Sequence, residues 1–150
     1  MLKINKKVEY ALMALKFMAD EKSQGELASA REVCDKFHTP FDTTSKVMQA
    51  MNNSGILQSV KGIKGGYILA RDLNSLTYME LARVLEKKMG ESLCRGSEGN
   101  CELLKDCNIV APIERLNITL NQYLDHLTIK ELFNMAFNST AYQKQTSFSV

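Results

Sequence analysis

At 150 residues, 45% of them hydrophobic and only two of them proline, the chain suffices for one ordered globular domain with an appended helical element. No run approaches the roughly 20 apolar residues of a membrane span. Glu9, Lys16, Asp20 and Glu21 interrupt the apolar N-terminal stretch, so a mature cytoplasmic protein without membrane partners is expected. The net charge of +2 divides unevenly, with 11 basic against 8 acidic residues in 1–72 and 8 against 9 in 73–150. That is a weak lean of the first half toward a polyanion and does not by itself establish nucleic-acid binding.

In chain order, Asn5 is a plausible N-cap for a first helix whose core stripe is Val8, Ala11, Leu12, Leu15 and Ala19. Tyr10, Met13, Ala14 and Phe17 cover much of its other side, which predicts a helix buried on two faces. Ser29 to Glu32 forms a capping box for a second helix, with Ala30, Val33, Cys34 and Phe37 facing inward. Cys34 therefore reads as a small core residue. Thr39 and Pro40 read as N-cap and first-turn proline of a third helix that stops at Gly55, with Val47, Met48 and Met51 in the core.

Residues 56–60 and 67–70 then read as two short strands around a basic, glycine-rich tip at 61–66, a β-hairpin. A second capping box at Thr77 to Glu80 opens a helix to about Lys88. Past a cysteine-bearing segment, Ile109, Ile113, Leu116, Leu120, Tyr123 and Leu127 step by four and three, the seam of a helix that pairs with another helix. Thr128 to Glu131 caps a short closing helix, and the tail from Asn138 is polar. The expected organisation is a DNA-binding domain over 1–75, a cysteine loop with dimerisation helices over 76–137, and a tail over 138–150.

Cys94, Cys101 and Cys107 crowd into a Gly- and Asn-containing stretch where no periodicity explains them as packing. Clustered soft thiolates suit zinc, copper(I) or an iron–sulfur cluster, and in a reducing compartment metal binding or redox sensing outranks a disulfide. Structural zinc favours closely spaced cysteine pairs, which this spacing lacks. Three thiols leave a fourth ligand to be found.

Helix, helix, helix and hairpin is the order of a winged helix-turn-helix, and the fold class is mainly α with a small β-hairpin wing, extended by a long dimerisation helix. Thr43, Thr44, Ser45 and Gln49 can exchange hydrogen bonds with base edges or phosphates, and Lys46, Lys61 and Lys64 supply cations. Gly62, Gly65 and Gly66, followed by Tyr67, allow a backbone to approach closely. The competing reading is a small α+β domain with an ordinary solvated hairpin. No nucleophile–base constellation or phosphate loop marks an enzyme.

The stretch SKVMQAMNNSGILQSVKGIKGGYILAR at 45–71 resembles the recognition helix and wing of the IscR/NsrR family of dimeric iron–sulfur regulators. The opening VEYALMALKFMA, the three cysteines and the following long helix extend the resemblance to about residue 135. It implies a homodimer on a pseudo-palindromic double-stranded operator, with Cys94, Cys101 and Cys107 holding an iron–sulfur cluster. Glu9 falls where some members place a carboxylate ligand from the other subunit. The position at which other members use histidine is Val110, and a Glu–His pair would need histidine where Met13 stands. Three cysteines and a carboxylate resemble the 4Fe–4S members more than the 2Fe–2S ones. A cluster-free thiol sensor and a small iron–sulfur redox protein are the alternatives.

Overall fold

The computed structural model describes residues 4–23, 25–86 and 107–135. Along the chain run α1 (Lys6–Glu21), α2 (Ala30–Phe37), α3 (Phe41–Asn53), β1 (Leu57–Val60), β2 (Gly66–Leu69), α4 (Tyr78–Leu85), α5 (Val110–His126) and α6 (Ile129–Asn134). Cys94, Cys101 and the polar tail lie outside the described residues.

Side chains cap the starts of α1, α2, α4 and α6. Asn5 Oδ1 accepts from the Lys7 N–H at 3.0 Å and opens α1. The capping box at α2 is complete: the Glu32 N–H donates to Ser29 Oγ at 3.1 Å, and the Ser29 N–H to the Glu32 carboxylate at 2.9 Å. The same reciprocal pair, Thr128 with Glu131, opens α6. At α4 only half of the expected box forms. Thr77 Oγ1 accepts from the Glu80 N–H at 3.2 Å, while the Glu80 carboxylate turns instead to Arg71.

The core gathers Val8, Ala11 and Leu15 of α1, Val33 of α2, and Val47, Met48 and Met51 of α3. The α1 stripe ends on Met18 rather than Ala19, which is exposed. Ala14 and Phe17 are buried as well, Phe17 meeting Phe37 edge-on at 6.1 Å, whereas Met13 stays exposed. Cys34 is buried as expected. The hairpin is antiparallel, with Leu57 opposite Leu69 and Val60 opposite Gly66.

The expected boundary near residue 75 does not coincide with a break in this core. Leu76, Leu81, Ala82, Leu85, Leu127 and Ile129 belong to the same buried cluster as α1 and α3. A short antiparallel bridge explains how. Thr77 pairs with Thr128, the Tyr78 N–H donates to the Leu127 carbonyl, and the Ile129 N–H to the Leu76 carbonyl, both at 2.8 Å. The Lys130 N–H adds a bond to the Leu73 carbonyl at 3.1 Å. Leu127, expected in the intersubunit seam, is therefore spent on its own core.

The rest of α5 is unlike the other long helices, because none of its residues is fully buried. Val110, Ile113, Asn117, Leu120, Asn121 and Leu124 are half-buried at helical spacing, and α5 packs against α4. Ile109, Leu116 and Tyr123, seven residues apart in turn, are each more than half exposed.

The capping carboxylates titrate below the ordinary range. At Glu32 the largest cause is the hydrogen bond from Lys22, followed by the Ser29 N–H; at Glu131 it is the Thr128 N–H, followed by the hydroxyl. A carboxyl held low in the folded state binds its proton more readily when unfolded. Its stabilisation is complete above the unfolded pKa and is lost as pH falls through the folded one. Thermal melts recorded from neutral pH down to about pH 3 should therefore decline less steeply for a Glu32→Gln, Glu131→Gln double variant, from a lower start. Parallel acid limbs would remove these carboxylates from the account.

Candidate functional site

The faces of α3 are decided by what Val47, Met48 and Met51 bury. They leave Asp42, Ser45, Lys46, Gln49 and Asn53 along the outer side, with Lys46, Gln49 and Asn53 exposed and Ser45 half-buried. Thr43 lies half-buried at the flank. Thr44 does not belong to this face: it is wholly buried, and its hydroxyl donates to Thr39 Oγ1 at 2.9 Å. A hydroxyl used inside the protein cannot reach a base edge, so Thr44 is withdrawn from the reading set.

The same pair accounts for how α3 begins. Because Thr39 is engaged by Thr44, the N-cap position falls on Pro40 and no side chain caps the helix. The leading N–H groups are left to solvent or to an anion such as phosphate. His38, just before, takes the left-handed conformation (φ 53°) that ends α2 and turns the chain into α3. Arg31 of α2 stacks on the half-exposed ring of Phe41 at 5.5 Å, which holds a guanidinium beside the α3 entry. Neither Arg31 nor Asn53 was expected from the sequence. Asn53 is detectable as the position four residues beyond Gln49; the Arg31 stack needs the fold.

The wing is fixed to this helix and to the chain before α2. Asn52 Oδ1 on α3 accepts from the Ser59 N–H of β1 at 2.7 Å. Ala28 and Tyr67 exchange both backbone hydrogen bonds at 2.9 Å, adding a one-residue third strand. That junction explains Gly66, where a Cβ would stand 2.9 Å from the Ala28 carbonyl oxygen. Gly65 is likewise crowded, with the Val60 carbonyl at 2.9 Å, and Gly62 takes a φ of 149° that side chains disfavour. The close approaches at Gly65 and Gly66 are thus made by the protein's own backbone. Lys61 and Lys64 stand exposed at the tip, and Tyr67 is half-buried against the core.

Of the cysteine segment, Cys107 is described: half-buried, free, and just ahead of α5. Glu9 sits in the first turn of α1, where Lys6 holds its carboxylate at 2.6 Å. Among the described residues, no three His, Cys, Asp or Glu side chains gather as a metal site. His126 is exposed with Nδ1 2.7 Å from the Gln122 carbonyl oxygen. No helix among the described residues is long and apolar enough to cross a membrane.

Residues 4–135 match the family model Rrf2, described as iron-dependent transcriptional regulators. The Escherichia coli HTH-type transcriptional regulator IscR is 23% identical over 133 residues, 89% of this chain and 81% of that protein. CymR, the global cysteine regulator of B. subtilis, superposes with a TM-score of 0.68 at 22% identity, covering 91% of this chain and all of that one. IscR of T. potens superposes with a TM-score of 0.61 at 20% identity over 94% and 97% of the two chains. The chain belongs to the Rrf2 family and is a transcriptional regulator of winged-helix fold. That replaces the alternative of a small iron–sulfur redox protein.

The exposed lysines of α3 and the wing and the buried threonine make opposite predictions. Lys46→Ala and Lys64→Ala should each weaken duplex binding and lower the slope of log affinity against log salt by about one, with an unchanged melting temperature. Thr44→Val should destabilise the fold by about 1–2 kcal/mol and leave the affinity of the folded protein intact. Gel shifts over a salt series and thermal melts separate the two. A Thr44→Val variant that folds as well as wild type yet loses DNA would return Thr44 to the reading face.

Proposed function

We propose that this Rrf2 chain works as a homodimer that reads a pseudo-palindromic operator and is switched by an iron–sulfur cluster on Cys94, Cys101 and Cys107. In each site Glu9 of the partner subunit is the fourth ligand. The DNA-reading half of the proposal is carried by one observation: α3 turns Ser45, Lys46 and Gln49 outward while Asn52 ties the basic wing alongside. Thr43 at the flank, Lys61 and Lys64 at the tip, and the backbone around Gly62, Gly65, Gly66 and Tyr67 complete the proposed DNA contacts.

Dimerisation through α5 is supported by its exposed apolar stripe. Ile109, Leu116 and Tyr123 offer a seam that none of the described residues covers, flanked by half-buried Ile113 and Leu120. A second copy using the same stripe closes the pair symmetrically. Leu116→Lys should then halve the mass found by light scattering. A variant that stays dimeric would place the interface elsewhere.

Cluster control rests on the donor chemistry. Three cysteine thiolates suit iron–sulfur ligation. Among the described residues the Glu9 carboxylate is engaged by an ion pair with exposed Lys6 one turn away, and surface pairs of this kind contribute little, so it can be given up for a metal. Such a cluster would supply an iron centre responsive to redox, nitric oxide or iron and cluster status. Glu9 shares α1 with Val8, Ala11 and Leu15, which pack against α3. A ligand exchanged at Glu9 therefore acts on the helix that backs the reading helix. A 4Fe–4S cluster is favoured over 2Fe–2S. A second reading, cluster-free thiol sensing by the same cysteines, draws on the likeness to the cysteine regulator CymR.

Anaerobically purified protein should contain iron and acid-labile sulfide, lost together in Cys94→Ala, Cys101→Ala or Cys107→Ala. Stoichiometric zinc, or no metal with unaltered DNA control, would sink the cluster and leave the thiol reading. Glu9→Ala should remain dimeric but bleach faster in air; identical bleaching would exclude Glu9 as a ligand.

A further inference from the structure

Ile63 occupies the tip of the β1–β2 hairpin with its whole side chain in solvent, at 108% relative exposure. The Gly65 N–H closes the turn on the Gly62 carbonyl at 3.0 Å, and nothing in that turn uses an apolar side chain. Isolated exposed apolar residues are common on proteins. The placement of this one is not ordinary: it projects from the outermost point of the wing, with exposed Lys61 and Lys64 on either side.

An isoleucine that gains nothing from its own fold gains only when a second molecule covers it. The flanking ammonium groups specify a polyanion as the covering surface. The Asn52–Ser59 bond and the Ala28–Tyr67 pair hold the wing beside α3, so a duplex read by α3 runs past this tip.

We propose that Ile63 enters the minor groove beside the base pairs read by α3 and makes apolar contact with its floor and sugar walls. Lys61 and Lys64 hold the phosphates on either side. This inference rests on the DNA-reading role proposed above and adds a source of specificity to it. Isoleucine is among the side chains that proteins insert into minor grooves. The guanine 2-amino group stands up from the groove floor and is absent from A·T pairs. Against Ile63 that amino group would be both a steric block and a donor without an acceptor. The wing should therefore select A·T pairs at positions α3 does not touch.

The probe is a duplex that the wild-type homodimer enriches from a randomised library. Ile63→Ser suits an exposed turn and should melt like wild type. It should weaken binding roughly tenfold or more, as expected when an isoleucine's burial is lost, with an unchanged salt slope. Replacing adenines one at a time with 2,6-diaminopurine adds a minor-groove amino group without altering the major-groove edge. At the wing-facing pairs this should weaken wild type severalfold and leave Ile63→Ser indifferent. Equal affinity of Ile63→Ser and wild type, or equal responses to diaminopurine, would overturn the inference. Failure of wild type to enrich any duplex would instead overturn the DNA-reading role itself.

Discussion

The fold depends on a bridge of a few backbone hydrogen bonds. Where the chain enters α4 it meets the chain entering α6, and Tyr78, Ile129 and Lys130 donate across the junction to Leu127, Leu76 and Leu73. Both meeting points are helix N-caps, Thr77 and Thr128, whose side chains are already committed to their own helices. The extended backbone of a capping residue is what makes a strand-like pairing possible there. Leu76, Leu127 and Ile129 are buried around it. α5 packs against α4, and this junction ties the end of α5 into the winged-helix core.

Much of the secondary structure could be read from local chemistry. Capping boxes at Ser29 and Thr128, the helical spacing around Met48 and Met51, and the glycine-rich turn of the hairpin each have short-range physical causes. The errors share one character: they concern groups with two possible partners. Glu80 could complete a cap or meet Arg71, and it meets Arg71. Thr39 could cap α3 or pair with Thr44, and the buried pairing prevails because an unpartnered hydroxyl in the core is costly. Leu127 continues the heptad pattern yet turns into its own core, since periodicity says which residues share a face and not what that face meets.

The candidate site was legible to the same degree. Lys46, Gln49, Lys61 and Lys64 are exposed, as their polar character required. The glycines were recognisable as close-approach positions, but the approaching group at Gly66 is the carbonyl of Ala28, far away in sequence. Arg31 on Phe41 depends on the angle between α2 and α3, which local patterns do not encode. Of Cys94, Cys101 and Cys107, only Cys107 lies within the described residues, as a free thiol just ahead of α5.

The contact between Gly66 and Ala28 has a geometric consequence for the whole reader. It seats the wing against the residue just before the α2 cap, while Asn52 pins β1 to α3. Helix and hairpin thereby behave as the two jaws of a calliper set to one opening. Such a head cannot stretch to follow a duplex whose grooves differ in spacing. In the dimer proposed above, accommodation would then come from bending the DNA or from the joint between the two copies, making tolerance for operator length a property of the pair and stringency within each half-site a property of the single chain.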